Sequence, residues 1–169
     1  VRLAVALARG GLVLAGLVPC APASASPPFA RCLAEFEARP QEYASANCFF
    51  LAAQQQKRWD EAARLVDELR SRHPRNHWLT LARGNLEYSR DPDRALRLYR
   101  EAADGLAAAG LAEGEVIARH NLRLVLYRKG RLDEAGAEVT RAVAAAERSG
   151  DRLARARAGA LEATHLTDT

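Results

Sequence analysis

From residue 29 onward, apolar and polar positions recur with a helical period. Between Trp59 and Leu69, the residues Ala62, Leu65, Val66 and Leu69 follow the three- and four-residue spacing that places them on one helix face. The same phrase returns as Asp93-Arg94-Ala95-Leu96-Arg97-Leu98-Tyr99-Arg100-Glu101-Ala102, and again as Gly130-Arg131-Leu132-Asp133-Glu134-Ala135, which runs on to Val139 and Ala142. Its small residues are Ala62, Ala95 and Ala135, spaced by 33 and 40 residues, and Arg39-Pro40 lies 34 residues before His73-Pro74. Each phrase follows another amphipathic segment: Tyr43 to Gln56, Trp78 to Tyr88, and Glu115 to Arg128. The pattern predicts helix pairs with a period near 34 residues, and the wider second spacing places an insertion around Ala107 to Gly114. Phe29 to Arg39 reads as the second helix of a degenerate first unit. Asp151 to Leu166 reads as an unpaired first helix, capped by Asp151 after Gly150.

Local signals mark the helix ends. Asp91-Pro92 sets a capping carboxylate before a proline at the first helical position, where the missing N–H has no intrahelical partner to lose. Gly110, Gly114, Gly130 and Gly150 are expected at helix ends, where glycine takes left-handed backbone without strain.

The offsets resemble those of the tetratricopeptide repeat, with a small residue, a large apolar or aromatic residue, a second small position and a closing proline. Here they are filled by Ala62, Val66, Leu69 and Pro74, then Ala95, Tyr99 and Ala102, then Ala135, Val139 and Ala142. The resemblance covers about Pro40 to Ser149 and departs at the glycine of the first helix, which is replaced by Phe50, Arg83 and Arg123; the later units lack the proline. It implies an all-α fold, a right-handed superhelix of antiparallel helix pairs whose first helices line a concave groove for a protein or peptide partner. Carried over position by position, the groove would present Asn47, Gln54 and Gln55, then His77, Thr80, Glu87 and Tyr88, then His120, Tyr127 and Arg128. The other reading of Tyr88 and Tyr127 is packing between units. The Lys and Asn set with which some family members grip a terminal carboxylate is not reproduced. The stretch from Ala118 to Asp151 is also similar to repeats that precede CHAT protease domains in bacterial proteins.

Residues 1–25 hold Arg2 and Arg9, no acid, an apolar run from Gly10 to Val18 and the small-residue end Ala23-Ser24-Ala25. That layout predicts a secretory signal peptide, with 26–169 as the helical repeat domain and an exported, periplasmic or secreted product. The apolar run is short for a spanning helix, which takes about 20 residues. Cys20 after Leu17-Val18-Pro19 resembles a lipobox apart from its proline, so a lipid anchor at an outer membrane is the alternative and the only route to a membrane.

Composition agrees with helix. Ala fills 36 positions and Leu 23, against nine Val, one Ile and five Thr. Arg supplies 23 of the 25 cations, interspersed with 21 acids, so charge gives no nucleic-acid footprint. Candidate chemistry is sparse: no phosphate loop, dinucleotide fingerprint or metal-ligand cluster is present. His73 and His77 have a ligand-like spacing, but Pro74 interrupts the helix they would share. Cys32 and Cys48 are a candidate disulfide in an exported protein, or else two small buried hydrophobes. The reading is a non-catalytic interaction scaffold with no cofactor and no metal. Its alternatives are a docking fragment of a larger CHAT-type protease and a structural component of an envelope assembly.

Overall fold

The computed structural model describes residues 28–168. Among them it forms eight α-helices and no strand: α1 (Phe29–Ala38), α2 (Tyr43–Gln55), α3 (Trp59–Arg72), α4 (His77–Glu87), α5 (Pro92–Ala108), α6 (Ala112–Arg128), α7 (Leu132–Ser149) and α8 (Arg152–Asp168). The fold class is all-α. The expected leader 1–25, with Cys20, lies outside the described residues. No helix among the described residues is long and apolar enough to cross a membrane.

The connections follow from local chemistry. Three of them share one closure: a residue with positive φ follows the helix, and the next N–H reaches the carbonyl five residues back. Lys57, Gly110 and Gly130 are the left-handed residues, at φ 55°, 72° and 71°. The bonds are Arg58 to Ala53 (2.8 Å), Leu111 to Leu106 (3.0 Å) and Arg131 to Leu126 (3.0 Å). Elsewhere side chains cap: Asn76 accepts from the Trp78 amide, Asp91 from Arg94 ahead of Pro92, and Asp151 from Leu153 and Ala154.

Two expectations are corrected. Gly114 is not at a connection but is the third residue of α6, where a Cβ would stand 2.8 Å from Trp78 Cζ2 and 2.9 Å from Leu106 Cδ2. The insertion placed around Ala107 to Gly114 is spread as extra helical turns over α5 and α6, which have 17 residues each against 14 and 11 in α3 and α4.

Helices neighbouring in sequence pack against one another, and α2, α4, α6 and α8 also touch in that order. Cross-contacts give the directions. Near the start of α4, His77 lies against Gly105 near the end of α5, while Gly84 further along meets Tyr99, so α4 and α5 are antiparallel. Asn121 bonds Asn85 and Arg128 bonds the carbonyl of Tyr88, so α6 runs parallel to α4.

The buried core falls into three successive clusters. Phe49, Val66 and Leu79 belong to the first, Tyr99, Leu106 and Leu122 to the second, and Val116, Val139 and Leu161 to the third. Helix α4 contributes to the first two and α6 to the last two, so these helices join neighbouring clusters. The recurring Ala62, Ala95 and Ala135 are wholly buried, and so are Ala102 and Ala142. Their small side chains let helices approach closely.

Arginines tie neighbouring helices together. Arg83, at 4% exposure, donates Nε to both carboxylate oxygens of Asp67 on α3, at 3.1 and 3.0 Å, and bonds Glu87 on its own helix. Arg119 bridges Glu115 on α6 to Glu138 on α7 at 2.8 and 2.9 Å. Such pairs satisfy charges that would be costly to bury alone. At the other end, a disulfide joins Cys32 of α1 to Cys48 of α2. Phe49 stacks on Phe36 at 4.8 Å, and Arg58 lies 4.0 Å over the ring of Phe29.

Candidate functional site

The even-numbered helices enclose an open groove of about 830 Å³. Its walls come from α2, α4, α6 and α8, with Trp59 from α3 and Tyr99 from α5 reaching in. Its apolar surface includes Phe50, Leu51, Trp59, Trp78, Leu81, Leu124 and Leu161. Trp78 can come this close to α6 only because Gly114 has no side chain there.

A polar cluster interrupts this surface. Asn85 Oδ1 accepts two hydrogen bonds of 2.8 Å, from the Tyr99 hydroxyl and from Asn121 Nδ2. Burial pushes the Tyr99 hydroxyl far above its ordinary titration range, so it stays a donor. The two bonds fix both amides. Asn85 Nδ2 and Asn121 Oδ1 are left as a donor and an acceptor at the groove wall, with no partner among the described residues. Beside them, burial and the charge of Arg123 push His120 below its ordinary value, which favours the neutral ring.

Charged groups at the rim are already paired. Arg90 bonds Asp60 at 2.6 Å, Arg157 bonds Glu113 at 3.1 Å, and Glu42 pairs with Arg39 at 3.1 Å. An occupant would therefore meet apolar rings and neutral amides rather than a field of one sign.

Of the residues expected in the groove, Asn47, Gln54, Tyr88 and His120 line it. The other six do not. Gln55 is exposed outside the cavity on α2. His77 packs its ring against the bare backbone of Gly105 on α5. Thr80 is buried inside the stack. Glu87 is consumed by Arg83. Tyr127 and Arg128 sit past the groove at the end of α6, where the Arg128 guanidinium lies 4.8 Å over the ring of Tyr88.

The residues missed were Trp78, Asn85 and Asn121. For the two asparagines a signal was present: Asn85 and Asn121 are 36 residues apart, close to the expected period near 34, on α4 and α6.

Among the described residues no group of three or more His, Cys, Asp or Glu side chains could hold a metal. His73 is exposed and follows α3, while His77 begins α4, so the two share no helix. The arrangement can bury apolar side chains and pair main-chain or amide groups. No family model, curated protein or solved structure matches the chain.

Proposed function

We propose that this chain is a helical-repeat scaffold of the tetratricopeptide type, a right-handed superhelix that binds an extended segment of a partner protein in its groove without acting on it chemically. The observation that carries this reading is the fixed amide pair of Asn85 and Asn121 set among aromatic and aliphatic side chains. An extended chain presents one N–H and one C=O per residue and alternates its side chains. A donor and an acceptor held side by side match that backbone, while Leu51, Trp59 and Trp78 offer burial to its apolar side chains. Four helices spaced by about 9 Å give a path of about 27 Å, or about eight extended residues.

The reading places the scaffold in an exported location. Its support is the Cys32–Cys48 bond, since disulfides persist in oxidising compartments.

A random peptide library displayed on phage, panned against the full chain, tests the binding claim. Selected peptides are expected to lose tenfold or more in affinity, about 1.4 kcal/mol, for Leu51→Asp and for Asn121→Ala. They should bind Arg64→Ala, a change outside the groove, unchanged. No enrichment, or peptides indifferent to both groove variants, would overturn it. Far-UV circular dichroism of each variant separates lost binding from lost fold.

A further inference from the structure

The hydrogen-bonding groups left unspent on the groove wall are mostly donors. Trp59 and Trp78 each carry an indole N–H with no partner among the described residues, on a half-buried side chain. An indole donates and cannot accept. Asn85 adds its Nδ2, because the two bonds to its Oδ1 fix the amide that way. Against these donors stands one acceptor fixed by the same bonds, Asn121 Oδ1. An ordinary extended chain offers one N–H for every C=O, so seating it here would strip water from N–H groups that find no acceptor. Proline offers a C=O and no N–H.

Shape and charge point the same way. Flat rings recur along the groove, Phe50 and Trp59 beside the first core cluster, Trp78 and Tyr88 beside the second. Aromatic-lined grooves receive proline-rich segments in the polyproline II conformation. That conformation repeats every three residues, or about 9.3 Å, close to the spacing of about 9 Å between packed helices. A proline-rich segment crossing α2, α4, α6 and α8 therefore turns the same edge to each helix in succession. A β-extended chain, whose sides alternate with a repeat of about 6.6 Å, falls out of step. Rim charges such as Arg90 and Arg157 are already paired, so an uncharged segment meets no uncompensated field. Polyproline II is also formed before binding, which lowers the ordering cost of docking in an open groove.

We propose that the segment held in the groove is proline-rich and in the polyproline II conformation, with one non-proline residue over the Asn85–Asn121 pair. That residue accepts from Asn85 Nδ2 through its C=O and donates its N–H to Asn121 Oδ1, while carbonyls of flanking prolines accept from the indoles of Trp59 and Trp78. This rests on the reading that the groove takes an extended partner segment, and it specifies the chemistry of that segment.

Calorimetric titration of the full chain with capped nonapeptides tests it, since about nine residues of polyproline II span the groove's path of about 27 Å. One peptide has a central alanine between two runs of four prolines, the second is all proline, and the reference alternates alanine and serine. The alanine-centred peptide is expected to bind about tenfold or more tighter than the reference, and about threefold or more tighter than all-proline, because it alone of the two supplies an N–H to Asn121. Asn121→Ala should erase the second difference and keep the first. Trp59→Phe keeps a ring and removes the donor; it should weaken the alanine-centred peptide about threefold or more with helical dichroism unchanged. A reference peptide that binds as well as the proline-rich ones would overturn the proposal, as would proline-rich binding indifferent to both variants. Phage panning separates this inference from the reading beneath it. Proline-poor winners that still lose affinity for Leu51→Asp would leave the groove reading standing and overturn this one, whereas no enrichment would overturn both.

Discussion

Gly84 occupies the interior of α4, where alanine would hold helix better by up to about 1 kcal/mol. The structure reverses that preference. A Cβ at this position would lie 2.7 Å from two ring carbons of Tyr99, itself buried in the second core cluster and held by its hydroxyl to Asn85. Gly84→Ala is therefore expected to lower stability by about 1–3 kcal/mol, measured by urea unfolding. A gain in stability would show that the ring can move aside. His120 gives a second residue-level expectation. Its folded pKa lies below the ordinary 6.5, so the unfolded chain binds this proton more readily. Stability from this group is complete above pH 6.5 and is lost as pH falls through 6.5 toward the folded value. Urea midpoints between pH 7.5 and pH 5 should fall more steeply for the native chain than for His120→Gln. Equal slopes would remove the assigned shift.

The hairpin of α1 and α2 is tied twice, by the Cys32–Cys48 bond and by the stacking of Phe36 on Phe49. The bond spans 16 residues of sequence, and removing it should cost roughly 3 kcal/mol by release of chain entropy in the unfolded state. A reduced sample, or the Cys32→Ala, Cys48→Ala pair, should melt at lower temperature while keeping its helical dichroism in the cold, because the ring packing remains. Loss of helix on reduction would mean that the aromatic contacts alone do not hold α1. Helix positions were legible in the sequence because most elements repeat their apolar spacing over several turns and several connections carry Gly or Asp-Pro. The recurring alanines identified the buried faces for the same reason. The groove was less legible. A one-residue step along a helix turns a side chain by about 100°, enough to send Thr80 into the core while Leu81 meets the cavity. Offsets borrowed from a repeat pattern cannot carry that precision. Glu87 failed differently, because a buried arginine on its own helix claimed it.

Across the whole molecule, three core clusters follow one another, with α4 and α6 as their joints. Each segment thus depends chiefly on its neighbours, as in a one-dimensional array. Leu161→Ala, at the far end of the third cluster, should cost about 2–5 kcal/mol locally and speed amide hydrogen exchange in α7 and α8, with α1 to α3 unchanged. A uniform acceleration along the chain would indicate one cooperative unit instead. The same architecture has a practical consequence. The chain contains two tryptophans, Trp59 and Trp78, and both line the groove, Trp59 packed against the first core cluster and Trp78 against the second. The protein thus carries its own optical reporter. Light absorbed by its indoles is re-emitted from the groove wall and nowhere else, so a segment that displaces water there shifts and brightens the emission of the unlabelled protein.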